Sequence, residues 1–176
     1  MKHPFPLVIA LLSLLFVAAC GGGDEPPASS ATLAPSSAPT AETPRVTAQP
    51  RTEAALRLVA EEEFETYASG DYGGAWDLWT AAGKKLISRA DYERLFELCP
   101  AIVEGVPFKI EKVRVSGTAG VVRASRSIAI LSFKFAYEHG QWRYVPDRSA
   151  VADYQRLRKI GMQKFVAARK AEGLCA

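Results

Sequence analysis

The chain has 176 residues, 48% of them hydrophobic and 23% charged, with a formal net charge of +3. That length suits one modest domain with extensions and excludes a large multidomain enzyme. The weak positive charge supplies no basic stripe of the kind a nucleic-acid binder needs, so no nucleic-acid partner is expected.

Lys2 and His3 precede a run from Leu7 to Ala19 that is apolar except for Ser13. This is the charged start and short hydrophobic stretch of an export signal, covering residues 1–19, and it falls short of the ~20 apolar residues of a membrane span. The run closes on Val17-Ala18-Ala19-Cys20-Gly21, which resembles the lipobox of bacterial lipoproteins. The resemblance implies a diacylglyceryl group on the Cys20 thiol, cleavage after Ala19 and acylation of the new amino group. It also implies a lipid-anchored place on the extracytoplasmic face of the cell membrane. Two or more acyl chains, at about 0.8 kcal/mol per buried CH₂, hold a protein stably where a single chain does not.

Residues 20–50 then carry Pro26, Pro27, Pro35, Pro39, Pro44 and Pro50 among Ser, Thr, Ala and Gly, with no aromatic residue. Such a segment reads as the lipidated cysteine and a disordered tether, about 30 Å long as a random coil and up to ~90 Å if fully extended. The foldable part is therefore residues 51–176.

Thr52 is placed to cap a helix running to about Ser69, with Leu56, Val59, Ala60, Phe64 and Tyr67 on one stripe. Glu61, Glu62, Glu63 and Glu65 fall mostly on the other side, an acidic cluster that reads as a solvated face. Gly70-Asp71-Tyr72-Gly73-Gly74 ends that helix and Ala75 to Trp79 starts a short second one. Ser88 and Asp91 form a capping box for a third, in which Tyr92, Leu95, Phe96 and Cys99 recur on one side before Pro100 stops it.

From Val106 the period changes to two. Phe108 and Ile110 share one phase while Val113 and Val115 share the other, so a bulge near Glu111 and Lys112 keeps one face apolar. Gly117 to Gly120 turns into a second strand, Val121 to about Ser125. Leu131, Phe133, Phe135 and Tyr137 alternate with polar or small residues in a third, and Glu138-His139-Gly140 turns into a fourth over Gln141 to Val145. Beyond Pro146, Ser149 opens one last basic, amphipathic helix with Val151, Tyr154, Leu157, Gly161, Phe165 and Ala168 on its apolar side.

The expected class is α+β, with three N-terminal helices on a curved antiparallel sheet of about four strands, plus a C-terminal helix. That order resembles the nuclear-transport-factor-2-like cone, shared with ketosteroid isomerase-like and SnoaL-like proteins. The resemblance rests on the long first helix, Ser69 to Trp79, Ile87 to Tyr92, and the hairpin Tyr137 to Tyr144. It implies a cavity between helices and sheet, and in the enzymes of the group an Asp, Glu or His base inside it. A shared fold carries no function by itself.

Setting Cys20 aside leaves Cys99 and Cys175, an even pair that an exported protein is expected to join in a disulfide. No Cys-x-x-Cys motif and no second histidine accompany His139 beyond the leader, so no metal or other cofactor is expected. Asp71 and Asp77, near Tyr67, Tyr72 and Trp76, come nearest to a catalytic base, although Asp71 suits a helix cap and Asp77 a solvated helix side. The reading that follows is a non-catalytic binding or interaction module of the cell envelope. Its pocket would be lined by Tyr67, Trp76, Trp79, Phe133, Phe135, Tyr137, Trp142 and Tyr144, and its partner an envelope protein or a small apolar ligand. Two alternatives stand beside it: a small-molecule enzyme of isomerase or cyclase type using Asp71 or Asp77, and attachment to anionic polymer or lipid through the basic last helix.

Overall fold

The computed structural model describes residues 47–176; the leader, Cys20 and the tether up to residue 46 lie outside them. Among the described residues the chain is α+β, with six helices and a four-stranded antiparallel sheet in the order β1-β2-β3-β4. Helix α1 spans Glu53–Ala68, and the Thr52 hydroxyl caps it by accepting from the Ala55 N–H at 3.2 Å. Two short helices follow, α2 (Tyr72–Asp77) and α3 (Ala81–Lys84), and then α4 (Arg89–Leu98), capped by Ser88 as its Ser-x-x-Asp spacing dictates.

The strands are β1 (Lys109–Ser116), β2 (Ala119–Arg126), β3 (Ala129–Glu138) and β4 (Gln141–Val145). The register of β1 against β2 shifts between Ile110 and Lys112, so Glu111 is the extra residue of a bulge. Without it Ile110 and Val113 would point to opposite faces; with it both join Val122, Ala124, Phe133, Phe135, Trp142 and Tyr144 on the inner face. Helix α1 lies on that face, its Leu56, Val59, Ala60 and Phe64 packed among Val113, Val122, Ala124, Phe135 and Trp142. The approach is close enough that a Cβ on Gly120 would strike the Leu56 side chain.

The C-terminal part differs from the single helix expected. Asp147, not Ser149, is the cap, and the helix is two: α5 (Arg148–Ile160) and α6 (Met162–Ala171), separated at Gly161. Gly161 has φ +82°, a conformation open to glycine and strained for other residues, so it turns the chain instead of contributing to an apolar face. The turn brings Phe165 and Val166 of α6, with Tyr154 and Leu157 of α5, against Tyr72, Trp79, Tyr92 and Leu95 in a second core. A Cys99–Cys175 disulfide, Cα to Cα 4.8 Å, ties the end of α4 to the chain's last turn.

Candidate functional site

Between the two cores lies a cavity of about 160 Å³. Helix α1 supplies Glu63, Phe64 and Tyr67; α4 supplies Tyr92; the sheet supplies Phe133 and Tyr144; and Tyr154 of α5 faces them, with Trp79, Phe108, Pro146, Asp147 and Ala150 completing the wall. Asp147, at the junction of β4 and α5, is the exposed member of this set, which places the opening there. Its carboxylate accepts from the Ala150 N–H at 2.8 Å and the Ser149 hydroxyl at 2.6 Å, and these bonds hold its pKa below the usual value despite the opposing effect of burial.

Glu63 corrects the sequence expectation most sharply. It was placed on a solvated face with its three acidic neighbours, yet it is 4% exposed and opens onto the cavity. Burial is the main cause that pushes its pKa up to about 8; the indole of Trp79 opposes this and the charge of Glu62 adds to it. Its Oε2 has no hydrogen-bond partner, and neither has the Trp79 Nε1–H in the same wall: the two groups influence each other without completing a bond. The surrounding phenols are held well above the usual tyrosine value, chiefly by burial, at Tyr92, Tyr144 and Tyr154. At neutral pH the cavity thus holds one titrating group among neutral rings.

Of the eight pocket residues expected from sequence, Tyr67, Trp79, Phe133 and Tyr144 line the cavity. The other four do not. Phe135 and Trp142 are buried in the sheet-side core, and Trp76 donates its indole N–H to the Ile87 carbonyl under the Lys84 ammonium. Tyr137 stacks edge-on against Trp142 and donates to the Gln49 carbonyl. Sequence reasoning missed Glu63, Phe64, Tyr92, Phe108, Asp147 and Tyr154 as members of one wall.

Neither aspartate offered as a base is near it. Asp71 caps α2, accepting from the Gly74 N–H at 2.8 Å, and Asp77 pairs with Arg89 at 3.3 Å in solvent. The basic tail is partly neutralised too, since Arg156 pairs with Glu172 and Arg169 with Asp153. Among the described residues there is no cluster of side chains able to hold a metal ion and no helix long and apolar enough to cross a membrane.

No family model and no curated protein sequence matches the chain. The solution structure of a SEC-C motif containing protein from Rhodopseudomonas palustris is similar to 55% of this chain and 79% of that one, at 14% identity and a TM-score of 0.36. A likeness that loose carries no inference about activity.

Proposed function

We propose that this is a lipid-anchored, extracytoplasmic lipoprotein whose domain is a cone of the nuclear-transport-factor-2-like kind, holding a small ligand in its cavity without transforming it. The bent meander, the helices on its inner face and the residues of the Ser69–Trp79 and Tyr137–Tyr144 segments support the cone; the Cys20 lipobox supports the anchor. One observation carries the binding role: a cavity of about 160 Å³, comparable to an engineered cavity of about 150 Å³ that takes up benzene, has in its wall a buried carboxyl whose Oε2 lacks a hydrogen-bond partner. Burying a carboxyl with one oxygen unpartnered costs the fold stability, so its presence points to a guest.

Acid–base catalysis is the second reading, favoured by the Glu63 pKa of about 8, near the pH at which an enzyme works. In that reading Glu63 replaces Asp71 and Asp77 as the proton-transfer group.

Ligand-detected NMR with a set of small soluble compounds tests the binding role. Compounds bound by the native protein should be lost in Ala150→Leu, which fills the cavity from the start of α5; a set in which nothing binds, or in which Ala150→Leu binds as before, removes the cavity as the site. The anchor is tested separately, because Cys20→Ala should abolish incorporation of labelled fatty acid and unchanged labelling would overturn it.

A further inference from the structure

Resting on the binding role just given, we infer that the guest is a small organic cation, an alkylated ammonium, held by aromatic faces with the Glu63 carboxylate as its counter-ion. The wall contains two acids, Glu63 deep and Asp147 at the opening, and no lysine, arginine or histidine. Its remaining surface is mostly rings, whose negative faces attract a cation more strongly when water is excluded. Tyr67, Trp79, Tyr92 and Tyr154 come from four different segments, and Trp79, Tyr92 and Tyr154 pack on one another as one aromatic cluster along the wall. An anion would meet two carboxylates with no donor beyond phenols and an indole. A neutral apolar guest would leave Glu63 Oε2 without a partner; a protonated amine would give it a hydrogen bond, and a quaternary ammonium would be the counter-charge of the carboxylate formed when the proton leaves.

The charge balance sets a pH signature. The Glu63 carboxyl has a pKa of about 8 when the site is empty, so a cation entering below that pH must displace its proton. The other groups facing the site do not change charge between pH 6 and 8. Tyr67 on α1, Tyr92 on α4, Tyr144 on β4 and Tyr154 on α5 are all raised above the ordinary tyrosine value, and Asp147 is lowered. Arg126 of β2 and Arg169 of α6 bear on Tyr67 from outside the wall, Arg126 with its guanidinium over the Tyr67 and Phe108 rings, and Glu62 lies beside Glu63. Affinity for the cation should therefore fall about tenfold for each pH unit below 8 and level off above it.

The probes are choline, its neutral carbon isostere 3,3-dimethylbutan-1-ol, and the anion 3,3-dimethylbutanoate, titrated calorimetrically into the full chain in a non-ionic detergent at pH 6.5 and 8.5. The expected result is choline binding at least tenfold tighter than the isostere at pH 8.5, weakening at pH 6.5, with no binding of the anion. Glu63→Gln, which keeps the shape and removes the charge, should abolish both the preference and the pH dependence. The pH series on the native chain stands even if that variant does not fold. Equal or tighter binding of the neutral isostere or of the anion overturns the cation and leaves the cavity as a ligand site. Failure of all three probes also overturns it, and the compound set tested against Ala150→Leu then decides whether the binding role survives.

Discussion

On one side of α1, Leu56, Val59 and Ala60 pack with Val122, Ala124 and Phe135, and none of these six lines the cavity. On the other, Trp79, Tyr92 and Tyr154 meet around a cavity with a carboxyl in its wall. The filled side is what a small domain needs in order to fold. The hollow side forgoes packing contacts and buries an ionisable group, both of which lower stability, so it is where selection for something other than folding shows. The same helix serves both, because Leu56 packs against the sheet while Glu63, two turns further on, opens onto the cavity.

The largest expected effect breaks this contrast by titration. The folded-state pKa of Glu63, about 8, lies above its ordinary value of 4.5, so the native state holds the proton more tightly than the unfolded chain does. Stability is therefore greatest below about pH 4.5 with respect to this group and declines as the pH rises through about 8. At about 1.4 kcal/mol per pH unit the whole decline amounts to at most ~5 kcal/mol. Urea unfolding from pH 5 to 8.5 should show the fall in the native protein, and Glu63→Gln should flatten it. A native profile that stays level over that range would mean the carboxyl is not confined as described, whereas substitutions in the filled side, such as Val122→Ala, should leave the slope unchanged.

A smaller effect belongs to the disulfide, which closes the hollow side by fixing α6 to the end of α4. Bridging residues 76 apart stabilises by about 4 kcal/mol in the chain-entropy account. Reduction should loosen the hollow side first, with hydrogen-exchange protection falling mainly between Ser149 and Glu172 while Val122 and Phe135 of the sheet keep theirs. Protection lost equally in both would show that the two cores unfold as one. Mass spectrometry of the unreduced protein gives the pairing itself, and two free thiols would remove the staple.

The two sides also differ in how far the sequence reveals them. The sheet-side core is local in origin: alternation in Phe133, Phe135 and Tyr137, the phase change that demands a bulge at Glu111, and the α1 stripe each have a short period that can be read directly. The hollow side is assembled from segments far apart in the chain, and its form depends on α5 and α6 folding back at Gly161, which the periodic pattern absorbed into a single helix. Glu63 alone had a readable signal. It stands four residues after Val59, seven after Leu56 and four before Tyr67, and so falls within the apolar stripe; the run of glutamates around it masked that spacing. Asp71 and Asp77 stand near Tyr67, Tyr72 and Trp76 in sequence, a nearness that the helices turn into a cap and a surface ion pair.

The smallest effect tests where the filled side ends. The tether was expected to run through Pro50, yet its last residues dock on the hairpin of β3 and β4. The Gln49 N–H donates to the Gly140 carbonyl at 2.7 Å, the Trp142 backbone N–H donates to the Gln49 side-chain oxygen at 2.8 Å, and the Trp142 indole N–H donates to the Pro50 carbonyl at 3.1 Å. Trp142 is among the most deeply buried residues, and β4 is one of the sheet's two edge strands, so these acceptors cover part of an open edge. Deleting residues 21–46 should leave the urea midpoint where it is, since that stretch has no core-forming residues. Deleting 21–50 removes the acceptors of both Trp142 donors, and with water able to reach the edge only in part, the cost should be about 2 kcal/mol. The two truncations differ by four residues and no charge, so a difference between them isolates the edge contacts. If both are silent, water replaces Gln49 and Pro50 without loss and the filled side begins at Arg51; if both destabilise, part of the core comes from the tether and the division between a filled and a hollow side needs redrawing.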